Sequence, residues 1–217
     1  MKQIIIAVIV VVGIIAGATL LGGKDDSTTV GLASNNWYGQ EKGIITLTEY
    51  GDFQCPACGQ FYPIVKQVKE QFKDQMRFEF KHFPLVQIHP NATSAHRAAQ
   101  AAANQGKFWE MHDLLYENQA SWKDSKSPSA IFETYAQQIG LDEAKYKTDA
   151  ESSGVLVIIN ADIAMGKDLK VSGTPTFFID GKVIEDTNSI ASVADFSKVL
   201  QTAIDAKQGT QTTTPTN

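Results

Sequence analysis

Residues 48–58 read Thr48-Glu49-Tyr50-Gly51-Asp52-Phe53-Gln54-Cys55-Pro56-Ala57-Cys58, and this stretch holds both cysteines of the chain. The run Ile44–Tyr50 before them is β-branched and aromatic, which predicts a strand. After them, Phe61, Ile64, Val65, Val68 and Phe72 fall on one helical stripe. The Cys-x-x-Cys pair therefore opens a helix directly after a strand. Amides at a helix N-terminus are unpaired and the dipole there is positive, so a thiolate is stabilised and its pKa falls. Pro56 suits the first helical position, where no intrahelical acceptor is lost. Two intervening residues bring the sulfurs close enough for a reversible disulfide. Cys55, nearer the exposed helix end, is the expected attacking sulfur, and Cys58, one step inside, the resolving one.

Other uses of the pair fit less well. A bridge between residues so close in sequence closes too small a loop to add much stability. A zinc site needs two further ligands; no other cysteine exists, and the four histidines show no ligand spacing. Redox chemistry is the better account, and it requires no dissociable organic cofactor.

Working outward, Met76, Phe78 and Phe80 alternate with Arg77, Glu79 and Lys81, a period-two strand with one buried face. Strand, helix and strand in this order predict a parallel βαβ unit. From about Asn91 to Lys170 the pattern is helical. Ala95, Ala98, Ala99 and Ala102 form a small-residue stripe, and Gly106 ends that helix. Phe108, Met111 and Leu115 mark the next. Ser127 with Pro128 starts another, ending near Gly140, and Val155 to Leu169 is read as a helix returning to the sheet. Strands resume at Thr176–Ile179, and Asp180-Gly181 signals a hairpin into Lys182-Val183-Ile184. Val193, Phe196, Leu200 and Ala203 mark a closing helix. The prediction is an α/β domain over residues 41–207 with one mixed sheet, interrupted by a helical insertion over about 90–168.

The ends read differently. Lys2 precedes an uninterrupted apolar run from Ile4 to Leu21, close to the length of about 17–25 residues that spans a bilayer. Residues 1–23 are thus expected to be a membrane anchor with Lys2 held in the cytoplasm and the domain outside. The alternative is a secretory signal cleaved near Ala16-Gly17-Ala18. Residues 24–40 read as a flexible linker and 208–217 as a disordered tail. The net charge of −5 argues against a nucleic-acid partner.

Several blocks together resemble one family. Residues 48–58 look like the active-site segment of DsbA-like thiol–disulfide oxidoreductases. Phe83-Pro84-Leu85 with Ile88-His89-Pro90-Asn91-Ala92 is similar to the segment leading into that family's helical insertion. Gly106-Lys107-Phe108-Trp109 with His112 resembles a motif inside it, and Gly173-Thr174-Pro175-Thr176 the loop opposite the active site. The blocks run in order over about Ile44–Ile204, and the nearest resemblance is to membrane-anchored, BdbD-like members. The resemblance implies a thioredoxin-like fold and a cis bond before Pro175, with that loop facing Cys55. Gly173, Thr174 and Pro175 would then receive an extended substrate. It also implies that Glu49 relays the proton of the buried cysteine. Independently, Glu49 lies in phase with Ile45 and Leu47 on an apolar strand face, where burial should raise its pKa. Ala57 departs from the most oxidising relatives, which place a histidine there, so a strongly oxidising pair is not assured by sequence. Thr174 is the expected compensating donor.

The expected activity is oxidation of reduced or misoxidised secreted proteins, with a quinone-linked membrane thiol oxidase of the DsbB or VKOR kind restoring the disulfide. Reduction or isomerisation by the same residues, or client binding without catalysis, are the alternatives. Trp109 and Met111 are assigned to the core, Phe61 and Tyr62 to packing under the motif. His82, His89, His96 and His112 are read mostly as surface or capping residues that help orient the insertion.

Overall fold

The computed structural model describes residues 33–211. The anchor or signal expected at 1–23 lies outside the described residues, as do residues 24–32 of the expected linker. Among the described residues no helix is long and apolar enough to cross a membrane.

The strands are β1 (Trp37–Gly39), β2 (Ile45–Gly51), β3 (Met76–His82), β4 (Thr176–Ile179) and β5 (Lys182–Val183), and they form one sheet in the order β1-β3-β2-β4-β5. Among the described strands only β2 and β3 are parallel, with Leu47 opposite Phe78 and Glu49 opposite Phe80. The crossover between them is helix α1 (Pro56–Gln71). This is the predicted βαβ unit, and it places the N-terminus of α1 at the C-terminal edge of two central strands. On the other side of β2, β4 runs antiparallel and puts Phe177 opposite Glu49.

The period-two pattern decides the layers. Ile45, Leu47, Met76, Phe78 and Phe177 face Val65, Val68 and Phe72 of α1 and Phe196, Leu200 and Ile204 of the final helix. Tyr50, Phe83 and Phe178 point the other way. Between β3 and β4 the chain makes α2 (Ala92–Ala103), α3 (Phe108–Glu117), α4 (Gln119–Trp122), α5 (Pro128–Gln138), α6 (Glu143–Glu151) and α7 (Ser153–Asp168). This is the predicted insertion, with bounds close to those read from sequence. Its alanine stripe packs with Phe108, Met111, Leu115, Trp122 and Phe132 into a second core, which Phe53, Cys55, Cys58 and Phe80 join from the sheet side. The insertion thus packs directly against the cysteine pair. Helix α7 lies close to the sheet because Gly166 has no side chain: a Cβ there would sit 2.8 Å from the Phe83 ring and 2.9 Å from that of Tyr50. Asp180 and Gly181 both adopt positive φ, 49° and 77°, the backbone of a two-residue hairpin turn of the kind the Asp-Gly pair predicts.

Two boundaries are corrected. The fold begins before residue 41, because Trp37–Gly39 is a strand on the edge of β3 and Ser34 and Asn36 are buried. Three residues between Asn36 and Gln40 leave no periodic signal; pairing and the indole N–H of Trp109, which donates to the Trp37 carbonyl at 2.8 Å, hold them. At the other end the last helix, α8 (Val193–Gln211), continues into the segment expected to be a disordered tail from 208. Its last turn lacks an apolar stripe and is helical by continuation.

Candidate active site

Cys55 is the N-cap of α1, with extended backbone (φ −66°, ψ 125°), and Pro56 is the first helical residue. The two cysteines are free thiols 3.9 Å apart. The Thr174–Pro175 peptide is cis, and in its protonated form the Cys55 thiol donates to the Thr174 carbonyl at 3.3 Å. Gly173 stays in the same turn, where its carbonyl accepts from the Thr176 hydroxyl at 2.8 Å. Loop 173–176 and the start of α1 are thereby brought together from segments more than 100 residues apart.

The two sulfurs are driven in opposite directions. The Cys55 pKa falls from 9.0 to about 5, chiefly because the Cys58 thiol donates a hydrogen bond to it. Burial opposes this, while the Thr174 side chain and the N–H groups of Cys58 and Ala57 add to it. Ala57 contributes only its backbone amide, so the acidity needs no charged residue between the cysteines. Cys58 is pushed well above its ordinary value, first by burial and then by its bond to Cys55 and the nearby Glu49 charge. One sulfur is a ready thiolate and its neighbour a protected thiol.

Glu49 is buried on β2, and burial raises its pKa from 4.5 to about 8; the Lys69 ammonium pulls it back down in part, and Cys55 adds to the rise. Lys69 is itself buried, its ammonium 4.3 Å from the Trp109 ring and 4.7 Å from that of Tyr38. Trp109 is therefore a wall of this cage and Met111 lies in the core.

Asp52, unremarked in the sequence, organises the loop before the pair. Its N–H donates to Cys58 Sγ at 3.5 Å. Its carboxylate accepts from the N–H groups of Gln54 (2.8 Å) and Leu85 (2.9 Å) and from His89 Nδ1 (2.6 Å). Burial would raise its pKa, but His96 and these donors hold it at about 2. The expectation that the histidines are mostly superficial is corrected here: His82, His96 and His112 are buried. His82 Nε2 lies 3.1 Å from Gln100 Oε1 and 3.3 Å from Asn36 Nδ2, and burial keeps this ring neutral. Its Nδ1 shares one proton in a hydrogen bond with His96 Nδ1 at 2.7 Å. His96 Nε2 then faces Asp52 Oδ1 at 3.8 Å. The partners come from separate segments, so no local pattern announces them. Gln119 was missed for the same reason: its amide donates to the Phe53 and Cys55 carbonyls at 2.8 and 2.9 Å.

A strand, an N-terminal Cys-Pro-x-Cys turn, a cis-proline loop against it and a buried acid on the central strand form one arrangement. A family match described as Thioredoxin spans residues 33–201. The chain belongs to the thioredoxin family. Among solved structures of that fold, oxidised BdbD from Bacillus subtilis superposes with a TM-score of 0.67 at 19% identity, covering 78% of this chain and 92% of that one. MdbA from Actinomyces oris, a thiol-disulfide oxidoreductase, gives a TM-score of 0.63 at 17% identity, over 76% and 86% of the two chains. The Na(+)/H(+) antiporter NhaA 1 of Salinispora arenicola is 40% identical over 145 residues, 66% of this chain. The chain spans about a fifth (21%) of that antiporter's length.

Proposed function

We propose that this thioredoxin-family domain is a thiol–disulfide oxidoreductase that works outside the cytoplasm and passes its Cys55–Cys58 disulfide to reduced secreted proteins. The observation behind this reading is the divergence of the two sulfurs, with Cys55 at about 5 and Cys58 raised. A stabilised Cys55 thiolate favours the reduced form of the pair, which makes the disulfide an oxidant. A client thiolate attacks Cys55 Sγ, the disulfide breaks, and Cys58 leaves as a thiolate. The client's second thiolate then attacks its own sulfur in the mixed disulfide and Cys55 leaves. The client is oxidised and the domain holds the two electrons. Glu49, near pH 8, is poised to exchange the Cys58 proton. The edge beside cis Pro175 receives the client as an extended strand.

The apolar run Ile4–Leu21 behind Lys2 supports an extracytoplasmic setting, with the domain tethered to the membrane or released by cleavage. In that setting a quinone-linked membrane thiol oxidase withdraws the two electrons. The deciding measurement is the reduction potential of the domain against glutathione, together with oxidation of a reduced test protein. A potential toward about −120 mV supports the oxidase reading, whereas one near about −270 mV makes the domain a reductase. Failure of the disulfide form to oxidise the test protein refutes the reading.

A further inference from the structure

Among the described residues, four buried side-chain atoms have no hydrogen-bond partner: His96 Nε2, His112 Nε2, Thr174 Oγ1 and the Tyr116 hydroxyl. Thr174 belongs to the loop facing Cys55, and the acceptor available to its hydroxyl is the Cys55 sulfur once that sulfur is ionised. Tyr116 takes no part in the exchange between Cys55 and Cys58, yet it is packed against the site. It comes from the last turn of α3, and its ring stacks on Tyr62 at 5.3 Å and lies 5.0 Å from Phe53. Tyr62 is one helical turn after Cys58, and Phe53 is two residues before Cys55. All five residues share one apolar cluster. Gln119, three residues after Tyr116, fastens the same turn to the Phe53 and Cys55 carbonyls.

A buried hydroxyl without a partner is costly. The cost has a purpose if the partner exists in another state of the molecule. The ionisable groups whose charges act on this phenol are Cys58 of α1, its N-cap Cys55, Glu49 of β2 and Asp52 of the intervening loop. His112 lies beside it on α3, with ring centroids 5.0 Å apart. Burial first, and then these groups in the order Cys58, Glu49, Asp52 and Cys55, keep the phenol protonated. Tyr116 is therefore a donor at any working pH.

We propose that the Tyr116 hydroxyl is a donor held in reserve for the Cys58 thiolate, which exists only once the Cys55–Cys58 disulfide has been opened. The inference rests on the oxidoreductase reading and concerns its first step. When a thiolate attacks Cys55, the S–S bond breaks and its electron pair leaves on Cys58. A mixed disulfide now joins Cys55 to the attacker, and Cys58 is a buried anion until a proton reaches it by way of Glu49. A hydrogen bond at that moment makes Cys58 a better leaving group. In this role Tyr116 acts on the leaving sulfur itself, whereas Asp52 and Gln119 act through the backbone around it.

The test is Tyr116→Phe, which removes one oxygen and keeps the ring. Dithiothreitol serves as the attacking dithiol; it is oxidised to its cyclic disulfide as the domain is reduced. The variant is expected to resist urea as well as the wild type or better, because an unpaired buried group is gone. Opening of its disulfide should slow by about tenfold or more, and in a Cys55→Ala background its Cys58 titration should move up by about one pH unit. Unchanged rate and titration would overturn the inference and leave the hydroxyl as an unused burial. If the variant does not fold, Cys55→Ala with Tyr116 intact decides the matter. The ζ-carbon NMR signal of Tyr116 should then follow Cys58 ionisation, and a flat signal, as when His112 is the acceptor, overturns it. The Cys58 titration needs neither a disulfide nor a client. A wild-type domain that cannot oxidise a test protein therefore counts against the functional reading alone.

Discussion

Replacing Cys58 by alanine removes the donor that does most to keep the Cys55 sulfur ionised. A hydrogen bond to a charged group is worth about 1.5–3 kcal/mol, or roughly one to two pH units. The Cys55 midpoint should therefore move from about 5 to roughly 6–7 in Cys58→Ala. Cys58→Ser keeps a donor at the same place and should stay closer to the wild type. Thiolate absorbance in the ultraviolet, followed against pH, reads the midpoint directly. The wild-type curve is clean because Cys58 itself ionises far higher. Stability should follow with a defined sign. The folded-state value of Cys55 lies below its ordinary 9.0, so the contribution is fully present above that value and is lost as pH falls through about 5. At neutral pH the difference corresponds to about 2.7 kcal/mol for an unscreened group, and about 1–2 kcal/mol after screening at this helix tip. A Cys58→Ala midpoint equal to that of the wild type would refute the assignment of the Cys58 thiol as the principal donor.

Glu49→Gln should slow the exchange steps that need the Cys58 proton by about 10²-fold or more, read as the rate at which Cys58 attacks a mixed disulfide held on Cys55. Because the folded pKa of Glu49 is raised, its contribution to stability is present below 4.5 and lost as pH rises through about 8. The unfolding free energy of Glu49→Gln, read from urea titration, should accordingly gain on the wild type over that window, by about 4–5 kcal/mol at its upper end; parallel curves would count against a desolvated carboxyl. Gly166→Ala should destabilise the domain by about 1–3 kcal/mol through overpacking on Phe83 and Tyr50, and an unchanged urea midpoint would show that α7 can lift away from the sheet.

What the sequence disclosed is what periodicity and chain order encode. The α1 stripe, the alternation of β3 and the Asp180-Gly181 turn each have a repeat or a dipeptide behind them, and their elements lie close to the predicted positions. The cysteine pair was legible because it sits at a strand-to-helix junction, and Glu49 because it shares the phase of Ile45 and Leu47. Strand β1 was hidden by its shortness. The imidazole network was hidden for a different reason: His82, His96, Gln100, Asn36 and Asp52 meet through tertiary contacts, and nothing local distinguishes a histidine that will be buried and bonded from one that will be solvated. Tyr116 lies beside the Met111 and Leu115 stripe and reads as one more core aromatic; only the missing partner of its hydroxyl sets it apart.

The side-chain amides that stitch the insertion to the active-site turn limit how this fold can be rebuilt. Gln119 caps two carbonyls of the turn, and Gln54 reaches back to accept from the Asn91 amide while donating to the Lys123 carbonyl. A chimera that kept the sheet and exchanged residues 92–168 for a foreign helical module would strand those groups at the very tip that sets the sulfur chemistry. The insertion and the cysteine turn are in this sense one mechanical part, and transplanting either means transplanting both.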